Sequence, residues 1–194
     1  MKLPIKKVYI ENLGCAKNQV DAEVMLNSLK ETGTWEYSEL SEDADLIIVN
    51  TCGFIEPARE ESLNTLFELR AHYPDKKIIM AGCLSERYGK QISSDLVEAD
   101  GFFGNMNLAE IPIFAEQIMH GERAELYPDL PEREYFTRKK LFSFPGSAYL
   151  KISEGCSHHC RYCAIPLIRG DLRSRPFDDI VHDAEELIGL GVTE

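Results

Sequence analysis

The chain has 194 residues, 44% of them hydrophobic and 28% charged, and a formal net charge of −12. That composition supports a packed core and excludes a disordered chain, and no apolar run approaches the roughly 18 residues of a membrane-spanning helix. So acidic a balance argues against broad nucleic-acid binding, which needs clustered Lys and Arg, and suits a basic partner better.

The opening MKLPIKKVYIENLG has basic residues but lacks the apolar stretch of roughly 7–15 residues that a secretory leader needs, so the expected location is cytoplasmic. Within it, KKVYIENLG is a β-branched and aromatic run ending in glycine, as a strand does. Ala22, Met25, Leu26 and Leu29 then recur at helical spacing up to Gly33. ADLIIVNT reads as a buried strand. Pro57 opens the next helix, which continues through Leu63, Leu66 and Phe67. KKIIMAG is a third strand, LSERYGK a short helix and GFFG a fourth strand. A helix with Leu108, Ile111, Ala115 and Ile118 follows, with Pro112 in its first turn. Strands separated by helices require crossover connections, so the expected class is α/β: a mostly parallel sheet with flanking helices over residues 1–121.

Residues 122–146, rich in proline and mixed charge, read as a linker. SAYLKIS resumes as a strand, a cysteine-rich loop follows, and a helix carries Ile180, Ala184, Leu187 and Ile188 before GVTE, which has the look of a further incoming strand. One βα unit cannot bury a core of its own, so residues 147–194 are expected to be the start of a truncated second domain.

The six cysteines fall into two sets of three. In a reducing compartment they are expected as metal ligands or reactive thiols, not disulfides. Cys156, Cys160 and Cys163 form C-x3-C-x2-C on one loop, a short spacing of the kind that holds iron–sulfur clusters. Three thiolates around a four-iron cluster leave one iron without a protein ligand. Zinc, with His158 or His159 as fourth ligand, is the competing possibility, but structural zinc sites usually pair their ligands at two separated points.

Cys15, Cys52 and Cys83 each follow a predicted strand. In a parallel sheet those positions share the edge where α/β folds bind ligands, so a second three-thiolate set is expected there. Gly14, Gly53 and Gly82 stand beside them and allow close backbone approach. After the loop trio, Arg169, Arg173 and Arg175 surround Gly170 and Asp171, where they either pair with an anionic group or form a solvated basic loop. No phosphate-binding glycine loop and no Ser–His–Asp arrangement is present.

These residues resemble a known family. CSHHCRYC is similar to the signature of radical S-adenosylmethionine enzymes, and AIPLIRGDLRSRP to the stretch that follows it in methylthiotransferases. NLGCAKNQVDAEVM, IVNTCGFIEPAREES and MAGCLSERY resemble the amino-terminal domain of the same family, so the likeness covers almost the whole chain. LGCAKNQVD is closest to the branch that modifies a ribosomal protein. The resemblance implies a radical (β/α) barrel, two 4Fe-4S clusters, S-adenosyl-L-methionine, an electron donor, and methylthiolation of the β-carbon of an aspartate in small-subunit ribosomal protein S twelve. It places the radical-generating cluster on Cys156, Cys160 and Cys163, the auxiliary cluster on Cys15, Cys52 and Cys83, and Tyr162 near the adenine of the cofactor. The chain reaches only the first unit of that barrel and alone is expected to be inactive. The same chemistry on a transfer-RNA adenosine, and an iron–sulfur electron-transfer or sensor module, are the alternatives.

Overall fold

The computed structural model describes residues 4–131 and 137–194. Six strands form one sheet: β1 (Lys6–Asn12), β2 (Trp35–Tyr37), β3 (Leu46–Thr51), β4 (Lys77–Gly82), β5 (Gly101–Phe103) and β6 (Ala124–Leu126). Their order is β2-β1-β3-β4-β5-β6, and every pairing is parallel. The crossovers are helices α1 (Ala16–Glu31), α2 (Glu56–His72), α3 (Cys83–Ile92) and α4 (Ile111–Met119). The protein is therefore an α/β fold built on a parallel sheet, as the alternating pattern predicts.

Strand periodicity sorts the core into two layers. Leu46 and Ile48 of β3, with Ile79 and Ala81 of β4, face α1 and α4 and pack with Met25, Leu26, Phe114 and Ile118. The alternate residues Ile47, Val49, Ile78 and Met80 face α2 and α3 and pack with Leu66 and Leu84. Burial on both faces explains why ADLIIVNT reads as a continuous apolar run and not as an alternating one. Pro57 and Pro112 sit in the first turns of α2 and α4, where their missing N–H groups cost nothing.

Besides strand β2, which no sequence pattern showed, three features depart from the sequence expectation. β6 lies inside the segment read as a linker and extends the sheet beside β5; residues 132–136 of that segment lie outside the described residues. SAYLKIS is a strand only at its end, where β7 (Ser153–Glu154) pairs antiparallel with β8 (Arg173–Ser174). Ile188, expected on the apolar face of helix α6 (Phe177–Gly189), is exposed, and Asp183 is buried in its stead, because its carboxylate is paired with Arg138 and Arg175. Short helix α5 (Ile165–Arg169) completes the fold.

Sheet order reverses at β1, whose neighbours β2 and β3 are wound in opposite directions. Beyond the carboxyl ends of the strands, such a switch point leaves a crevice. Cys15 follows β1 there, Cys52 follows β3, and Cys83 follows β4.

Candidate metal centres

The first trio converges. The Cys15 and Cys83 sulfurs lie 3.6 Å and 3.4 Å from Oδ1 of Asn18. Cys52 Cβ lies 3.1 Å from where a β-carbon on Gly14 would stand, and a β-carbon on Gly53 would come within 2.6 Å of the Cys83 carbonyl. Cys52 is fixed by its own N–H, which donates to Ser62 Oγ at 3.1 Å. Asn18 cannot turn round: its Nδ2 donates to the carbonyls of Leu13 and Thr51 at 3.2 Å and 2.8 Å. Its oxygen therefore stays toward the thiols.

Two features of the surroundings offset negative charge on these sulfurs. Cys15 is the N-cap of α1 and Cys83 the first residue of α3, so the positive ends of two helices meet here. Arg169 adds a full charge, its Nη2 donating to Cys83 Sγ at 3.2 Å. Burial pushes the Cys83 thiol up from its ordinary value, and Arg169 opposes that rise.

The second trio lies on the loop between β7 and α5. The Cys156 N–H donates to the Gly170 carbonyl at 3.0 Å and the Cys163 N–H to the Cys160 carbonyl at 2.9 Å. Gly155 makes the tight entry possible: its φ is +76°, and a β-carbon there would lie 2.1 Å from the Asp171 carbonyl oxygen. Cys160 is exposed. Tyr162 is 91% exposed and takes no part in the core of the described residues. His159, at φ +47°, has Nε2 3.0 Å from Asp171 Oδ1 on the exposed surface. A single ion requires all its sulfur donors about 2.3 Å from one point, and no group of three among the described residues meets that demand. A four-iron cluster spreads its ligands over separate corners, and the open arrangement around Asn18, with glycines where side chains would intrude, suits that larger object.

A buried seam of charge joins the two trios. Asp21 of α1 accepts from Lys151 Nζ at 2.9 Å and is paired with Arg169; Glu154 is paired with Lys151, Arg169 and Lys17. Burial alone would raise the Glu154 carboxyl, but Lys151 and Arg169 outweigh it and hold it down at about 2. Lys151 is raised: its burial acts downward, and Asp21 and Glu154 overcome it. Further along, Arg138 links Glu23 of α1 to Asp183 of α6, and Arg175 also reaches Asp183. Ala164 and Ile168 pack on Cys83 itself. Of the two expectations for the arginines after the loop, pairing with an anionic group holds for Arg169, with Asp21 and Glu154, and for Arg175, with Asp183, while Arg173 donates to the carbonyls of Arg169 and Asp171. Asn18, Asp21 and Glu154 were not singled out by spacing. Asn18 and Asp21 stand one helical turn before Ala22 and Met25 and so continue the buried face of α1, which is the only signal they carry; Glu154 of β7 carries none.

Fold and geometry together define an α/β protein that gathers thiols at a sheet switch point and docks a second thiol loop against them. The profile of Uncharacterized protein family UPF0004 matches residues 7–104, and the chain belongs to that family. Relatives carrying the name ribosomal protein uS12 methylthiotransferase RimO include one from Acetivibrio thermocellus, 46% identical over 200 residues that cover 97% of this chain and 44% of the relative. The relative from Syntrophomonas wolfei is 44% identical over 188 residues, covering 94% and 42%, and that from Treponema denticola 42% identical over 190 residues, covering 90% and 39%. The chain spans about two fifths of the length of these curated relatives.

Proposed function

We propose that this chain is the cluster-binding portion of a radical S-adenosylmethionine methylthiotransferase acting on ribosomal protein uS12. The convergence of Cys15, Cys52 and Cys83 around Asn18, with the second trio's own segment bonded to Cys83 through Arg169, carries the proposal. The relatives' names agree with it. In this reading residues 1–121 hold the auxiliary 4Fe-4S cluster and residues 147–194 begin the radical domain, with Cys156, Cys160 and Cys163 as ligands of the other cluster. When bound, three-thiolate clusters supply an open iron: at the second trio for reductive cleavage of S-adenosyl-L-methionine, at the first for holding the sulfur to be transferred.

The chain's own groups have distinct tasks. Asn18 fixes the spacing of Cys15 and Cys83. Helix ends and Arg169 balance the thiolate charge, which in an unscreened crevice would repel itself. Tyr162, exposed beside Cys163, offers a face to the adenine of the cofactor. The acidic exterior suits a basic ribosomal protein, whose association should weaken with salt. An external electron donor and a reducing cytoplasmic setting complete the picture; all six cysteines are free thiols.

Anaerobic reconstitution with iron and sulfide tests the cluster assignment. About eight irons per chain are expected, falling to about four in either Cys15→Ala or Cys156→Ala. One zinc and no iron would sink it. For the substrate, uS12 and transfer RNA from a strain lacking the gene are compared with the parent by mass spectrometry. Loss of a methylthio group from the uS12 aspartate is expected; loss from a transfer-RNA adenosine would redirect the assignment.

A further inference from the structure

Arg169 divides its guanidinium between two kinds of partner. Its Nη1 pairs with the carboxylates of Asp21 and Glu154. Its Nη2 turns the other way, to Cys83 Sγ at 3.2 Å and Asn18 Oδ1 at 3.2 Å. A purely structural arginine in this seam would be satisfied by the two carboxylates alone. Asn18, immobilised by the Leu13 and Thr51 carbonyls, aims Nη2 at the sulfur. Asn105 adds a weaker donor, its Nδ2 lying 3.7 Å from the same sulfur. Cys15, by contrast, is exposed, and among the described residues only Cys83 of the six cysteines receives a guanidinium hydrogen bond.

Arg169 is also the sixth residue after Cys163, and its own carbonyl and that of the following Gly170 are held by Arg173 and Cys156. The position of its side chain is therefore tied to the docking of the second loop. Hydrogen bonds to a cluster's sulfurs and nearby positive charge favour the reduced, more negative cluster.

Resting on the two-cluster reading above, we propose that Arg169 is a positioning residue that couples the two trios: docking of the Cys156–Cys163 loop places its guanidinium on Cys83 and raises the reduction potential of the first cluster. Reduction at the first centre is then easiest when that loop is docked beside it. A segment that has swung away leaves the first cluster harder to reduce.

The test uses the 194-residue chain with Cys156→Ala, Cys160→Ala and Cys163→Ala, so that the first cluster alone gives a signal. Iron content, apoprotein Tm and the midpoint potential from a spectroscopic titration are measured for this parent and with Arg169→Gln or Arg169→Lys added. Arg169→Gln is expected to shift the one-electron equilibrium at least tenfold toward the oxidised form, a fall of about 59 mV or more. Arg169→Lys keeps the charge but not the fork, so it should load iron and recover part of that shift. Loaded variants with the parent's potential would overturn the proposal. So would collapse of the apoprotein fold in both variants, which would make Arg169 a structural ion-pair partner only. A parent that binds no iron would instead refute the cluster assignment on which the proposal stands.

Discussion

Arg138→Met isolates the polar joint between the two parts of the molecule. Arg138 is fully enclosed and donates through Nη1 to Glu23 Oε2 at 3.0 Å and the Tyr149 carbonyl at 2.9 Å, and through Nη2 to Asp183 Oδ1 at 3.2 Å. Methionine fills a similar volume but leaves two buried carboxylates facing each other. Removing one partner of a buried ion pair costs about 3–5 kcal/mol. The lower end applies here, because Glu23 keeps donors from Gln19 and the Phe142 N–H, and Asp183 keeps Arg175. At roughly 2–4 °C per kcal/mol for a chain of this size, Tm of the apoprotein should fall by about 6–12 °C in a calorimetric scan. Adding Glu23→Gln removes one stranded charge, so the double variant should melt higher than Arg138→Met alone. A drop below about 2 °C, or a double variant whose losses simply add, would refute the view that this arginine is the electrostatic centre of the joint.

Glu154→Gln should flatten the acid limb of stability. Its folded carboxyl is held down at about 2, so its contribution is complete above the ordinary carboxylate value and is lost as pH falls through the range toward 2; Tm against pH between 6 and 2 should therefore be steeper for the parent than for the variant. Gly155→Ala forces a β-carbon onto the Asp171 carbonyl at a positive φ, and iron per chain should drop from about eight to about four as the second trio loses its turn. Gly53→Ala sets backbone against backbone at Cys83, and the missing iron should then be that of the first trio. As a control, Gly189→Ala meets nothing within 4 Å at the end of α6 and should leave the iron content intact.

How much of this was legible in the sequence depended on the range of the interaction. Cysteines at the ends of three apolar strands could be assigned to one sheet edge because parallel winding puts every strand end on the same side; Cys15, Cys52 and Cys83 were placed by topology, not by any local pattern. Strands β2 and β6 were not visible, since three residues are too few to show a period and both lie at sheet edges with polar neighbours. The helix face of Ala22, Met25, Leu26 and Leu29 was plain, yet Asn18, Asp21 and Glu23 on the same helix are equally buried. Polar residues signal burial only through their partners, and the charged partners of these three, Arg138, Lys151 and Arg169, lie more than 100 residues away. Arg169 stood out as one of three arginines after the loop; that it turns back to Cys83, 86 positions earlier, no spacing rule could say.

The charged seam also governs what motion the molecule can make. An apolar interface can slide by fractions of a side chain with little loss, whereas Asp21, Glu23, Arg138, Lys151, Glu154 and Arg169 satisfy one another in a single register. Intermediate displacements would strand several charges at once in a poorly polarisable interior. The joint behaves as a latch with two positions, closed or released, and not as a bearing. Because enclosed pairs are little screened by dissolved ions, salt that weakens the exposed pairs of the surface should leave the latch shut.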